Sequence, residues 1–213
     1  MRHYFTENDD LPSEKRLVTY VIDDVRFTLI SDLGVFSKDE LDLGSETLLK
    51  VLLKEKIQGP LLDLGSGIGT IGLTLAKLRP GVPVTLLEIS SRAVALSQIN
   101  AEKLQLENVD IRQSDIYSAL SETEKFAIIV TNPPIRAGKQ VVYGFLGESQ
   151  KHLVEHGQLY FVMRKSHGAK SAAKYVETIF GNCELVKKNR GFYVYRAVNQ
   201  PTVQISKSEA SYE

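Results

Sequence analysis

The chain has 213 residues, 43% of them hydrophobic, with 26 Lys+Arg matched by 26 Asp+Glu. That is enough for one domain with a substantial core. The zero formal charge removes the bulk attraction of a basic protein for nucleic acid, but not a local basic patch. The single cysteine, Cys183, excludes an intramolecular disulfide, and no Cys/His cluster has zinc spacing. No apolar run approaches the ~20 residues that span a bilayer. Met1 to Glu14 is polar and lacks the pattern of a secretion signal. These features predict a cytoplasmic protein with neither a resident metal nor a membrane partner.

Two alternating runs, Val18–Ile22 and Val25–Leu29, flank Asp23-Asp24 and predict a β-hairpin. After the loop around Gly34-Val35-Phe36-Ser37, a helix is expected from Gly44 through Lys56, with Ser45 as its N-cap. From Leu61 onward strands and helices alternate. Strands are expected at Leu61–Leu64, Val84–Glu88, Val109–Arg112, Phe126–Thr131 and Gln158–Met163. Helices are expected at Thr70–Leu78, Ser91–Leu104 (capped by Ser90 or Ser91), Gln140–Glu155 and Lys170–Phe180. His152 and His156 are four apart at the end of the third of these, a spacing that could pair them on a metal. No carboxylate motif accompanies them, and they read as ordinary surface histidines. A closing hairpin, Glu184–Lys188 and Phe192–Val198, surrounds Asn189-Arg190-Gly191. Such alternation predicts an α/β fold with a doubly wound, mostly parallel sheet and an antiparallel edge hairpin. Residues 1–14 read as a flexible N-terminus and residues 199–213, polar and Ser-rich toward their end, as a disordered tail.

Ligands of open α/β sheets bind outside the carboxyl ends of the strands. There the chain places Asp63-Leu64-Gly65-Ser66-Gly67-Ile68-Gly69, a glycine loop where Gly65, Gly67 and Gly69 let the backbone turn tightly and approach a ligand. A dinucleotide loop looks similar. However, Asp63 stands two residues before the first glycine, where it would repel a pyrophosphate. It could orient backbone amides or reach the ammonium of an amino-acid-bearing ligand. Glu88, ending the next strand, suits ribose hydroxyls, and Asp115, after the third, an adenine amine. Acidic groups at three successive strand ends favour S-adenosylmethionine, which is cationic and carries ribose and adenine. The bland alternatives are a turn cap, a solvated strand end and an Asx turn.

The run Thr131-Asn132-Pro133-Pro134 follows the apolar strand Phe126–Val130. Prolines donate no backbone hydrogen bond, so the ladder stops there. What remains is the Asn132 amide and carbonyls without sheet partners, a set suited to gripping the amino group of a planar ring. The ring's amine is a poor nucleophile because its lone pair is delocalised. If Asn132 and the Pro133 carbonyl accept its N–H groups, the nitrogen moves toward tetrahedral geometry, and positioning and electrostatics supply most of the catalysis. Asn132, Pro133 and Pro134 are therefore the candidate catalytic residues. The competing reading is a Pro-Pro strand stop with a capping Asn.

Residues 63–72, Arg92–Leu96 with Asn100-Ala101, and Asn132–Lys139 together resemble the class I methyltransferases of the methyltransferase small domain group. Among these the chain is most similar to the small-subunit ribosomal RNA guanine-N2 methyltransferases. The segments Gly34–Ser37, Lys165–Ser171, and Phe180–Asn182 leading into Gly191-Phe192 also match, so the resemblance spans roughly residues 15–198. It departs at Glu88-Ile89-Ser90, where the group more often has Asp-Ile-Asn. The larger ribosomal members also carry an additional N-terminal half. The resemblance implies a Rossmann-like seven-stranded methyltransferase domain over 15–198, S-adenosylmethionine as cofactor (with Phe36, Asp63, Gly65, Gly67, Gly69, Glu88, Asp115 and Asn132 around it), and ribosomal RNA or the small subunit as partner. Ile135 follows the prolines where adenine and glutamine methyltransferases place an aromatic, which favours guanine. Arg136, Lys139 and Lys165 are candidate contacts to RNA phosphates, with a solvated cationic loop as the alternative. Rival readings are a glutamine or adenine amino-methyltransferase, a non-catalytic S-adenosylmethionine-binding RNA factor and an NAD-dependent dehydrogenase.

Overall fold

The computed structural model describes residues 13–33, 35 and 40–200. Phe36 lies outside the described residues, as do most of the expected flexible N-terminus and disordered tail. Strands β1 (Arg16–Ile22) and β2 (Val25–Ser31) form an antiparallel hairpin. Its turn residues Asp23 and Asp24 both have positive φ, 51° and 62°, a conformation that aspartate's short polar side chain tolerates better than most. The remaining elements are α1 (Leu43–Leu52), β3 (Leu61–Leu64), α2 (Thr70–Leu78), β4 (Val84–Glu88), α3 (Ser91–Lys103) and β5 (Val109–Gln113). They continue with β6 (Phe126–Thr131), α4 (Lys139–Gly147), β7 (Leu153–Arg164), α5 (Ala169–Phe180), β8 (Glu184–Asn189) and β9 (Phe192–Val198).

Seven strands form one sheet in the order β5-β4-β3-β6-β7-β9-β8. The first five are parallel, and β9 runs antiparallel to both β7 and β8. Strand alternation sorts the apolar side chains into two cores. Leu61, Val84, Leu86, Ile128, Val130 and Val162 face α1, α2, α3 and the β1–β2 hairpin. Leu62, Leu64, Leu87, Ile129, Leu159 and Phe161 face α4 and α5. Covering both faces is what a parallel sheet requires, since neither side can be left wet. Asn100 on α3, fully buried, fastens the hairpin down. Its Oδ1 accepts from Ile30 N at 2.7 Å, and its Nδ2 donates to Ile30 O at 3.0 Å and Ile68 O at 3.1 Å. The chain winds outward through β3, β4 and β5, then returns to the other side of β3 with β6. That reversal opens a crevice at the carboxyl ends of β3 and β6.

Two expected helices differ in the structure. Helix α1 is capped by Asp42, whose Oδ1 accepts from Ser45 N at 3.0 Å, and Ser45 sits inside the first turn. Asp and Ser cap about equally well, and the cap falls to Asp42 because its backbone is extended (φ −64°, ψ 144°) while Ser45 is already helical. The helix ends at Leu52 rather than Lys56, closing through i→i+3 bonds from Lys54 and Glu55 to Val51 and Leu52. Helix α4 stops at Gly147 rather than Glu155, and the Ser149 hydroxyl donates to the Leu146 carbonyl just beyond its last turn. After a 3₁₀ turn, Leu153 already pairs with Phe126, and a bulge follows before Gln158 pairs with Ile128. Gly157 suits that bulge because a Cβ there would lie 2.9 Å from Val154 O and 3.0 Å from Phe126 O. His152 and His156 therefore do not share a helix. His152 stacks on Tyr117 at 4.8 Å, and exposed His156 lies in the bulge. Among the described residues no helix is long and apolar enough to cross a membrane.

Candidate active site

Strand β3, buried along its whole length, delivers the chain to the crevice at Leu64. The amides of Gly65 and Ser66 both donate to Leu87 O, at 2.8 and 3.0 Å, which pins the glycine loop to the end of β4. Glu88 completes the pinning: Oε2 accepts from Gly67 N at 2.8 Å and Oε1 from Ser90 N at 2.9 Å. Asp63 points to the α2 side of the sheet, where Oδ2 accepts from Gly72 N at 2.7 Å. That approach depends on Gly72, since a Cβ would stand 3.0 Å from the same oxygen and 2.8 Å from Leu86 Cγ. Gly67 has φ 57°, and a Cβ built on it meets nothing within 4 Å, so its backbone borders open space. Gly69, φ 88°, is the N-cap of α2 and stands behind the loop.

Burial pushes the Asp63 carboxyl up to about 7; the Gly72 amide opposes this and the neighbouring Glu88 adds to it. Glu88 is also raised by burial, against the opposing amides of Ser90, Gly67 and Ile89. Both carboxyls therefore sit where a cationic ligand would relieve an electrostatic cost.

From the other side, the Thr131 hydroxyl donates to Leu64 O at 2.8 Å and locks the end of β6 to β3. Asn132 comes next and is half-buried. Its Nδ2 donates to Asp42 Oδ1 and to Ser45 Oγ, both at 3.1 Å. Pro133 and Pro134 are buried, and the chain leaves through a 3₁₀ turn at Ile135–Ala137, where Ala137 N donates to Pro134 O.

Between the glycine loop and Asn132 lies a cleft of about 1040 Å³, counted with its open mouth. Four acidic residues line it, Asp42, Asp63, Glu88 and Asp115, and among the described residues no Lys, Arg or His does. An ionised carboxylate about 4 Å from a phosphate charge costs on the order of 4 kcal/mol at an effective dielectric near 20. The cleft is thus unsuited to a pyrophosphate and suited to a cationic nucleoside. Ile68, Ile116 and Phe145 add apolar wall for a planar ring. Open space at Gly67 and a lining whose ionisable residues are all acidic fit S-adenosylmethionine, with Asp63, Gly65, Gly67, Glu88 and Asp115 as the residues available to hold it.

The sequence-predicted residues separate into groups. Asp63, Gly65, Gly67, Glu88, Asp115, Asn132 and Pro134 line the cleft. Pro133 is buried beside it, and Ile135 packs against the α4–α5 core rather than lining the wall. Arg136, in the 3₁₀ turn, and Lys139, the first residue of α4, are exposed beyond it, with Lys139 Nζ 4.9 Å from the Tyr143 ring centroid. Lys165 is exposed after β7, and its backbone N donates to Gly191 O. Sequence reasoning passed over Asp42. The available signal was an aspartate three residues before Ser45, the spacing of an N-cap to the amide it satisfies.

Residues 26–196 match the methyltransferase small domain family. The uncharacterized protein YbxB of Bacillus subtilis is 40% identical over 195 residues, covering 92% of this chain and 97% of that protein. Ribosomal RNA small subunit methyltransferase C of Vibrio parahaemolyticus is 34% identical over 186 residues, 84% of this chain and 51% of that one. Among solved structures, the T. thermophilus 16S rRNA N2 G1207 methyltransferase (RsmC), in complex with AdoMet and guanosine, aligns with a TM-score of 0.80 and 30% identity. That alignment covers 89% of this chain and 52% of the other, so the chain spans about half the length of the methyltransferase C relatives. The chain belongs to the methyltransferase small domain family. It is an S-adenosylmethionine-dependent methyltransferase by that membership, and S-adenosylmethionine is its cofactor.

Proposed function

We propose that the chain methylates the exocyclic amine of guanine in RNA, with small-subunit ribosomal RNA in the cytoplasm as the substrate. The observation that carries this reading is the Asn132 amide. With both Nδ2–H groups directed to Asp42 and Ser45, its oxygen is the function left for a ligand in the cleft. An acceptor at that position suits an N–H-bearing substrate. When bound, S-adenosylmethionine supplies an electrophilic methyl group. Asn132 Oδ1 and the Pro133 carbonyl accept the two amine hydrogens, hold the nitrogen toward tetrahedral geometry and free its lone pair. The carboxylate-rich wall favours the positive charge that develops on the nitrogen, and the surplus proton then passes to solvent. Guanine and ribosomal RNA are supported by the activity for which the T. thermophilus relative is named. Exposed Arg136, Lys139 and Lys165 are proposed to hold RNA phosphates, while the target base enters the cleft unpaired. Ile135 is proposed to act through its packing beneath the loop.

The test is nucleoside analysis of small-subunit RNA from cells with and without the gene. Loss of one N2-methylguanosine, restored by the wild-type gene and not by Asn132→Ala, is the expected result. An unchanged nucleoside profile would contradict the proposal.

A further inference from the structure

We infer that Asp42 and Ser45 are positioning residues that fix which end of the Asn132 amide faces the cleft. This deepens the reading of Asn132 as the acceptor for the substrate amine and rests on it. An Asn amide is nearly symmetric in shape, and a half-turn exchanges a carbonyl oxygen for an NH₂ group. The first would accept from the substrate amine, and the second would meet it donor to donor. The selection is made by the first turn of α1. Asp42 Oδ1 takes one Nδ2 hydrogen at 3.1 Å and Ser45 Oγ the other at 3.1 Å. A carboxylate only accepts, so turning the amide would set the Asn132 oxygen against the Asp42 oxygen, two acceptors with no hydrogen between them.

A second observation sets the Asp42 carboxylate apart from an ordinary helix cap. Its Oδ1 already serves Ser45 N, which is all that capping requires. Its Oδ2 is shut off from solvent and has no hydrogen-bond partner among the described residues. An unpartnered buried carboxylate oxygen lowers stability, and an asparagine would cap the helix about as well while removing the buried charge. A carboxylate in this place therefore makes sense for what it does to Asn132. It holds the amide in one orientation and polarises it, pulling on Nδ2–H so that Oδ1 becomes a stronger acceptor.

The decisive variant is Asp42→Asn, which keeps size and capping but lets both amides turn. The expected result is a fall in kcat of about tenfold or more, the loss of a charge-assisted bond, with any change in KM or S-adenosylhomocysteine affinity smaller than the fall in kcat. Resistance to urea should be equal or higher, whereas a purely structural role for Asp42 predicts a drop. Ser45→Ala should lower kcat and Ser45→Thr should restore it. In an Asn132→Ala background, Asp42→Asn should have no further effect, because there is no amide left to orient. Equal fold-losses in both backgrounds would overturn the inference. A readout independent of turnover is solvent exchange of the Asn132 side-chain amide hydrogens by NMR: slow in the wild type, and at least roughly tenfold faster in Asp42→Asn. Fast exchange in the wild type would overturn the inference. If exchange behaves as expected while methyl label appears on a base other than guanine, the clamp stands and the guanine reading alone falls.

Discussion

Asn132 and Asp63 both border the cleft, but the structure gives them separable consequences. The Asn132 amide is tied to α1 through Asp42 and Ser45, whereas Asp63 is tied to the turn that follows the glycine loop through Gly72. Asn132→Ala should therefore lower kcat by about 10²–10³, the usual cost of removing one preorganised polar group from a reacting centre, while calorimetry finds S-adenosylhomocysteine affinity nearly unchanged. The Asp63 carboxyl titrates at about 7 in the folded chain, above its ordinary value of 3.8. Between those values the folded state holds the proton more tightly than the unfolded one. The stability from this group is therefore full at low pH and is lost as pH rises through 7, and Glu88 is shifted in the same direction. Thermal unfolding of the ligand-free protein should show stability falling from about pH 4 to about pH 7 in excess of the Asp63→Asn variant. The glycine loop and the Asn-Pro-Pro run were legible because their chemistry is local and punctuated by Gly and Pro. The Asp42–Asn132 bond was not, since its partners lie 90 positions apart, and no spacing rule reaches across such a gap.

At the scale of elements, legibility followed the punctuation. The bounds of α2, Thr70–Leu78, are those expected from Gly69 before it and Pro80-Gly81 after it. The α4–β7 boundary was misread although α4 ends on Gly147, because Ser149–Glu155 beyond it contains no Gly or Pro and suits a helix as well as a strand. What decides it is non-local: Leu153 pairs with Phe126, and Gly157 admits two carbonyls at close range. The β1–β2 hairpin was legible as a hairpin, but its docking was not. That depends on buried Asn100, which serves Ile30 and Ile68 together. Asn100→Ala leaves one amide and two carbonyls short of a partner at the hairpin–loop junction. At about 1–3 kcal/mol for each group left unsatisfied, urea denaturation should show a destabilisation of at least about 2 kcal/mol. A change below about 0.5 kcal/mol would mean that water replaces the side chain there.

For the whole molecule, net neutrality conceals an uneven distribution. Among the described residues the cleft is lined by four acidic residues and no basic one, while Arg136, Lys139 and Lys165 stand exposed outside it. This division suits a cationic cofactor inside and a polyanion at the rim. RNA affinity should fall with salt, and replacing Arg136 and Lys139 by Gln should reduce the slope of log K against log[salt] by about 0.7 for each phosphate no longer neutralised. Filter binding over a salt series reads that slope, and an unchanged slope would remove those two residues from the RNA surface. The most direct test of the central claim is transfer of tritiated methyl from S-adenosylmethionine to small ribosomal subunits and their extracted RNA, followed by digestion to nucleosides. The prediction is label in N2-methylguanosine, abolished by Asn132→Ala; label in methyladenosine or in protein, or none despite measurable cofactor binding, would contradict it.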